Sequence, residues 1–138
     1  MFLLDTNVFS DATKLQPHPD VTRWLGDQPA PTLFISAMSV AEAGYGVERL
    51  APGQKADRLR AWLEEVIADF GERVLAVDAE VAKAQARIRR SAENARRTMP
   101  SIDAFLAATA EVHGLTLVTR NVRDFEAWGG PILDPWGA

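Results

Sequence analysis

The sequence predicts an α/β fold of three layers, α/β/α, in which helices cover both faces of a central, mostly parallel sheet. Short apolar runs that suit buried strands recur along the chain, and segments with the apolar spacing of helices separate them. Strands joined through helices are parallel, because each crossover returns the chain to the same end of the sheet. The 138 residues, 47% hydrophobic and 25% charged, fit one such domain over residues 1–138.

Five short apolar runs are the predicted strands. The first, Met1–Leu4, ends abruptly at Asp5-Thr6-Asn7, a sequence that can cap a following helix. The second, Thr32–Ser36, begins after Pro29 and Pro31 have broken the preceding segment. The other three cover residues 74–77, 115–119 and 132–133.

Helical periodicity predicts the segments between these strands. Apolar residues recur on one face from Leu59 to Phe70, and Gly71 ends that helix. A long helix is predicted from Asp78 to about Arg97, because its apolar stripe runs to a break at Pro100. The remaining predicted helices are Val21–Gly26, Ser39–Leu50, Ser101–His113 and Asn121–Trp128.

The composition excludes several classes of protein. The chain has no cysteine and only two histidines, which excludes disulfides, thiol catalysis and a zinc site of these residues alone. Its formal net charge of −4 argues against a basic nucleic-acid coat protein, so any contact with nucleic acid must be local. No apolar run approaches the ~20 residues of a membrane span, and the first residues lack the basic leader of a signal peptide. We therefore expect a cytoplasmic protein without membrane contact.

Four acidic residues fall at predicted strand and helix ends. Asp5 directly follows the first strand, Glu42 lies six residues after the second, and Asp124 lies five residues after the fourth. Asp103 opens the helix that precedes the fourth strand. Ligands of parallel α/β sheets bind beyond the carboxyl ends of the strands. We therefore expect the first three carboxylates to share one edge of the sheet, where Asp103 can join them.

Each of these residues also has a purely structural interpretation. Ser39-Val40-Ala41-Glu42 matches a capping box, in which the glutamate binds an unpaired backbone amide. Aspartates stabilise helix starts through the macrodipole by ~0.3–1 kcal/mol each. Taken singly, the residues leave this alternative open.

Taken together, four carboxylates in one small space favour a bound cation. Two unit charges ~4 Å apart repel by ~4 kcal/mol at an effective dielectric of ~20. Oxygen ligands without cysteine or paired histidines suit Mg²⁺ or Mn²⁺. Phosphodiester hydrolysis needs such a site, because the ion neutralises the phosphate, lowers the pKa of a bound water and orients it.

Five motifs follow one another in the sequence: D-T-N at 5–7, S-V-A-E at 39–42, S-I-D at 101–103, T-R-N-V-R-D-F at 119–125 and the ending Pro135-Trp136. Their order resembles that of the PIN-domain ribonuclease family, specifically the VapC-type toxins and their FitB-like branch. The resemblance spans essentially the whole chain and implies the PIN-like version of the predicted fold.

The resemblance also implies the roles of individual residues. The implied catalytic and metal-binding cluster, for Mg²⁺ or Mn²⁺, consists of Asp5, Glu42, Asp103 and Asp124. Thr6 and Thr119 would support it through their hydroxyl groups. Asn121 stands where some relatives carry an aspartate, and an amide brings no negative charge, so one tightly held ion is expected.

The same resemblance implies the biological role and the partners. A toxin of a type II toxin–antitoxin pair would hydrolyse RNA, either single-stranded or in a loop of a structured RNA. The implied partners are a cognate antitoxin, a second copy of the chain in a homodimer, and operator DNA that is bound only through the antitoxin.

A basic segment leads towards Asp103. Lys83 to Arg97 contains six basic residues against the single acid Glu93. Arginines beside an acidic metal site can bind the flanking phosphates of RNA, or an acidic antitoxin tail. The residues predicted to do so are Arg87, Arg89, Arg90, Arg96, Arg97 and, after the fourth strand, Arg120. The alternative is a solvated helix face whose arginines pair with acids elsewhere.

Two other functions compete with the nuclease. A catalytically weak or inactive PIN module could act only as an antitoxin or operator-complex partner, and the uncharged Asn121 favours it. A phosphatase that uses Asp5 as its nucleophile would need a second aspartate two residues later, where the chain has Asn7.

Overall fold

The computed structural model describes residues 1–137, and Ala138, the last residue of the predicted domain, lies outside the described residues. The strands are β1 (Phe2–Leu4), β2 (Leu33–Ser36), β3 (Val74–Leu75), β4 (Thr116–Val118) and β5 (Ile132–Leu133). The helices are α1 (Thr6–Phe9), α2 (Pro19–Asp27), α3 (Ala37–Glu48), α4 (Gln54–Phe70), α5 (Ala79–Asn94), α6 (Ser101–His113) and α7 (Val122–Phe125). Within residues 1–137, no helix has the length and apolar character that crossing a membrane requires.

The five strands form one parallel sheet in the order β3-β2-β1-β4-β5. The central strand β1 pairs with both neighbours, and Leu3 lies opposite Phe34 of β2 and Leu117 of β4. Because every strand points the same way, all carboxyl ends lie along one edge of the sheet. The residues that follow β1, β2 and β4 are therefore brought to a common edge.

Successive residues of the central strands serve two different cores. Leu3 and Leu117 pack in a cluster with the apolar residues of α5 and α6. Leu4 and Val118 pack on the opposite face, in a cluster that includes Val21 of α2. Side chains alternate across a strand, so one short apolar run can cover both faces of the sheet. This arrangement confirms the predicted three-layer α/β/α fold.

Several predicted element boundaries were wrong. Gly26 lies inside α2, which continues to Asp27 and is capped at its start by the side chain of His18. The predicted long helix to Arg97 ends at Asn94. The predicted helix 121–128 is a short α-helix followed by a 3-10 turn, Glu126–Trp128. In contrast, α4 ends at the predicted Gly71, which has a φ of +52°.

The end of α5 depends on an arginine in a left-handed conformation. Arg96 has a φ of 58°, and its amide donates to the carbonyl of Glu93 at 2.9 Å. The amide of Arg97 reaches back to the carbonyl of Ala92, also at 2.9 Å. These two bonds form a Schellman motif, which usually has glycine at the left-handed position. The chain therefore turns at Arg96, five residues before α6 begins.

Substituting Arg96→Gly is expected to stabilise the fold by ~0.5–1 kcal/mol, because glycine adopts this conformation without the steric cost of a Cβ. Urea denaturation measures the change in the free energy of unfolding. Arg89→Gly is the matched control inside α5, where glycine should destabilise by ~1 kcal/mol. A loss of stability in Arg96→Gly would contradict the strain assigned to this turn.

Candidate active site

Asp5 is buried at the centre of the carboxyl edge, with 7% of its surface exposed. Its amide donates to the carbonyl of Val118 at 2.9 Å, which continues the β1–β4 ladder. One carboxylate oxygen accepts from the amide of Thr6 at 2.7 Å, and the other accepts from the hydroxyl of Thr119 at 2.8 Å. Thr119 also accepts from the amide of Asn121 at 3.0 Å. The strand pairing and these bonds fix the position of the carboxylate.

Glu42 projects from α3 and is linked to the residue that follows Asp5. The hydroxyl of Thr6 donates to Oε1 of Glu42 at 3.1 Å, across 36 residues of sequence. The capping-box interpretation of 39–42 was wrong, because the helix begins at Ala37 and is capped by Ser36. Ser36 accepts from the amide of Met38 at 3.0 Å. Glu42 therefore lies in the second turn of α3 and is free of a capping role.

The other two acids lie on α6 and α7. Asp103 is in the first turn of α6, and Asp124 is in α7, which starts shortly after β4. Arg97 stabilises α7 through hydrogen bonds. Its guanidinium donates to the carbonyl of Arg123 at 3.2 Å and to the carboxylate of Glu126 at 3.4 Å. Asp103 and Asp124 thus come from separate elements that meet at this edge.

The electrostatics show that the four carboxylates are neighbours. Burial is the main cause that raises the pKa of Asp103 from 3.8 to about 6. Repulsion from three other carboxylates raises it further, those of Asp5, Asp124 and Glu42. Like charges raise a carboxyl pKa in this way only over short distances. The fold therefore brings together four acids that are far apart in the sequence, at positions 5, 42, 103 and 124.

Asp5 and Glu42 are also harder to ionise than free carboxyl groups. Burial raises the pKa of Asp5, although the hydrogen bonds from Thr119 and Thr6 lower it in part. Burial likewise raises the pKa of Glu42, the Thr6 hydrogen bond lowers it, and repulsion from Asp5 raises it. The cluster therefore concentrates negative charge where solvation is poor, and a cation would relieve the cost.

The donor set fits a hard divalent ion. It consists of carboxylate oxygens with neighbouring hydroxyl and amide oxygens, which Mg²⁺ and Mn²⁺ prefer. Among residues 1–137, however, no three acidic or histidine side chains stand within ligating distance of a common point. Asp5 and Glu42 are instead held by Thr119 and Thr6. Binding of an ion would therefore draw the carboxylates together from positions set by these hydrogen bonds.

The basic segment has partners in several places. Ion pairs join Arg87 to Glu111, Arg90 to Glu93 and Arg97 to Glu126. The predicted alternative, arginines paired with acids elsewhere, thus describes half of the candidate arginines. The other candidates have no ion pair within the described part of the chain: Arg89, Arg96 and Arg120.

Two contacts of the site are not evident in the sequence. Thr6 was expected to support the acidic cluster through its hydroxyl, and in the structure the hydroxyl binds Glu42 while the backbone amide binds Asp5. Trp136 contacts Arg120, whose guanidinium carbon lies 5.4 Å from the centre of the indole ring. Only the register of the strands, which the sequence does not specify, brings these residues together.

A parallel α/β/α sheet with four neighbouring carboxylates at its carboxyl edge is the architecture of a class of nuclease domains. The chain belongs to the PIN domain family, whose profile matches residues 2–129. Its relatives place it in the VapC and FitB branch of toxin ribonucleases.

Similarity to known members extends over the full length. Toxin FitB of Neisseria gonorrhoeae is 37% identical over 137 residues, covering 99% of each chain. VapC ribonuclease Y4jK of Sinorhizobium fredii is 34% identical over 137 residues, covering 99% of this chain and 98% of the relative. The solved structure of FitAB bound to an IR36 DNA fragment superposes with a TM-score of 0.94 at 35% identity, covering 99% of this chain and 96% of that one.

Proposed function

We propose that this chain is a divalent-metal-dependent endoribonuclease and the toxin of a type II toxin–antitoxin pair. The observation that carries the proposal is that three other carboxylates lie near Asp103. Burial and the charges of these three acids raise the pKa of Asp103 to about 6. Raised carboxyl pKa values in a charged cleft are typical of functional sites. Relatives named as ribonucleases share the full length of the chain and support the same activity.

In this proposal Asp5, Glu42, Asp103 and Asp124 hold Mg²⁺ or Mn²⁺. When bound, such an ion neutralises the scissile phosphate and makes a water more acidic. Thr119 keeps the Asp5 carboxylate in one orientation, and Thr6 does the same for Glu42. Asn121 can contribute an amide oxygen but no charge, so we propose one tightly held ion.

The reaction is hydrolysis of an RNA phosphodiester bond. The oxygen of a water molecule forms a bond to phosphorus, and the bond from phosphorus to one ester oxygen breaks. One product keeps the phosphate, and the other gains a hydroxyl group that carries a proton from the water. A carboxyl group with a pKa of about 6, as on Asp103, can hold or release a proton near neutral pH.

The proposed partners follow from the relatives. FitAB is solved with a DNA fragment, and VapBC complexes occur among the structural neighbours. We propose a cognate antitoxin that closes the acidic site, operator DNA that is bound through the antitoxin, and a homodimer of the toxin. The proposed substrate is single-stranded RNA or the loop of a structured RNA.

The second candidate is an inactive PIN module that serves only as a binding partner. The uncharged Asn121 beside Thr119 favours it, because that position can then supply no carboxylate. The two candidates differ in metal binding and in cleavage after chelation. An active nuclease should stop cleaving RNA in EDTA and recover with Mg²⁺ or Mn²⁺, whereas the module should show neither effect.

Mn²⁺ binding is expected to weaken by ~10-fold per pH unit below about pH 6, because the ion competes with a proton on Asp103. Titration calorimetry between pH 5.5 and 7.5 measures the affinity. Two buffers with different ionisation enthalpies count the protons released. A pH-independent Mn²⁺ affinity would show that Asp103 is not a ligand, and absence of binding in a folded protein would support the inactive module.

A further inference from the structure

The segment after β5 is fixed against the edge of the sheet that carries the acidic cluster. Pro135 is buried, and the amide of Trp136 donates to Asp134 at 2.8 Å. The amide of Gly137 donates to Asp20 of α2 at 3.1 Å. The Trp136 ring packs against the apolar cluster that contains Val118. Trp136 therefore presents a fixed aromatic surface beside the end of β4.

Arg120 lies over this surface. Its guanidinium carbon is 5.4 Å from the centre of the Trp136 ring, a cation–π contact worth ~0.5–1 kcal/mol when exposed. Arg120 stands between Thr119 and Asn121, which bind each other beside Asp5. Within residues 1–137 it forms no ion pair and no side-chain hydrogen bond, so its N–H donors are unused.

A cavity of about 320 Å³ lies in front of these donors. Its lining consists of Arg120, Asn121, Val122, Arg123, Asp124 and Asp134. Arg123, like Arg120, has no side-chain ion pair within the described part of the chain. Two unpaired guanidinium groups thus share a polar cavity with Asp124, one of the four clustered acids. The second carboxylate of the lining, Asp134, accepts from the backbone amide of Trp136 and forms no ion pair with either arginine. An anion is the ligand that satisfies the two guanidinium groups, because Arg binds phosphate through two parallel N–H bonds.

We propose that this cavity binds the phosphate next to the scissile one in single-stranded RNA, that Arg120 and Arg123 contact that phosphate, and that Trp136 is a positioning residue for Arg120. This inference rests on the proposed function. An RNA strand cut beside Asp124 carries further phosphates on each side of the cut. The aromatic surface holds the guanidinium plane in place, which reduces the conformational entropy lost when the phosphate binds.

The lining of the cavity favours RNA over an acidic peptide. Val122 is its one apolar side chain, so a peptide would find little apolar surface to bury there. The cavity also reaches Asp124 itself, so a ligand in it continues directly towards the acidic cluster.

RNA binding tests the arginines. The probe is a fluorescent single-stranded RNA decamer of mixed sequence, bound to the Asp5→Asn protein so that it stays intact. Arg120→Ala is expected to weaken binding ~10-fold and to reduce the slope of log K against log salt by ~0.7. In the protein with Asp5 intact, Arg120→Ala should raise KM and leave kcat within ~2-fold, because the residue binds a flanking phosphate.

A double-mutant cycle tests Trp136. Trp136→Leu should weaken RNA binding ~3-fold, and Trp136→Phe should restore most of it because the aromatic face returns. In the Arg120→Ala background, Trp136→Leu should have no further effect. Arg120→Lys keeps the charge without the planar guanidinium, so it should keep the salt slope and weaken the coupling to Trp136. The matched control is Arg49→Ala. The guanidinium carbon of Arg49 lies 5.5 Å from the centre of the Tyr45 ring, in a similar contact, and its loss should leave RNA binding unchanged.

Each outcome decides the inference. An unchanged salt slope in Arg120→Ala overturns the phosphate site, and additive losses in the cycle overturn the positioning role of Trp136. If Arg120→Ala weakens binding of a polyglutamate peptide but not of RNA, the cavity belongs to an acidic peptide. A protein that neither binds nor cleaves RNA refutes the proposed function, whereas normal cleavage and binding by Arg120→Ala refutes only this inference.

Discussion

Asp5→Asn is expected to keep the fold and to lower kcat/KM for metal-stimulated RNA cleavage by at least ~10³-fold. The loss corresponds to ~4 kcal/mol, within the transition-state stabilisation that a bound metal ion supplies. The amide oxygen can still accept from the backbone amide of Thr6. The new NH₂ group faces the Thr119 hydroxyl, which can rotate and accept instead of donating. The substitution therefore removes charge with little change in shape.

Cleavage of the RNA decamer at saturating Mn²⁺ measures this effect, and circular dichroism verifies the fold. Asp27→Asn is the matched control, because Asp27 is an exposed aspartate at the end of α2. The control should cleave at the wild-type rate. Full activity in Asp5→Asn would refute the proposed acidic metal site, and equal losses in both variants would point to a preparation defect.

Asp103→Asn is expected to change the stability of the metal-free protein in a pH-dependent way. Asp103 has a pKa of about 6 in the folded protein, against 3.8 ordinarily. Between these values the folded state keeps a proton that the unfolded state releases. Stability therefore falls as pH rises from about 4 to about 6, and the loss persists above that range. Asparagine cannot ionise, so it should add ~1–2 kcal/mol at pH 7.5 after allowance for partial solvent screening.

Added Mn²⁺ should make the wild type more stable than Asp103→Asn at pH 7.5. Mn²⁺ stabilises whichever protein binds it, by an amount that grows with affinity. The wild type should therefore gain stability with Mn²⁺, while Asp103→Asn should gain little. Urea denaturation in EDTA and in Mn²⁺, at pH 4.5 and 7.5, measures all four values. Equal destabilisation of the metal-free protein by Asp103→Asn at both pH values would refute the raised pKa of Asp103. Asp27→Asn is the control and should show no pH-dependent change in stability.

Much of the fold could be predicted because the sequence carries it locally. The apolar stripe from Leu59 to Phe70 and the stop at Gly71 define the end of α4. Alternation of apolar runs with helices predicts a parallel sheet, and parallel strands bring residues after β1, β2 and β4 to one edge. The proximity of the four acids follows from that topology, which explains why their positions could be anticipated without side-chain geometry.

Other features depend on tertiary contacts that local sequence does not contain. Ser36 and Ser39 both lie near the start of α3, and Ser36 is the cap because β2 ends there with an extended backbone and the helix begins at Ala37. Arg96 adopts a left-handed conformation that would be expected of glycine. The Thr6–Glu42 bond depends on the register between two strands. Such contacts follow from packing, so the sequence predicts their neighbourhood but not their partners.

The central place of β1 has a consequence for translation. Its neighbour β4 begins at Thr116, and the bond between Thr119 and Asp5 spans 114 residues. Pairings this distant close slowly and need both partners outside the ribosome. We expect the nascent polypeptide to carry Asp5 without its partner for most of elongation. The hydrogen-bonded position of Asp5 at the carboxyl edge is therefore completed only after β4 and Thr119 have left the ribosome.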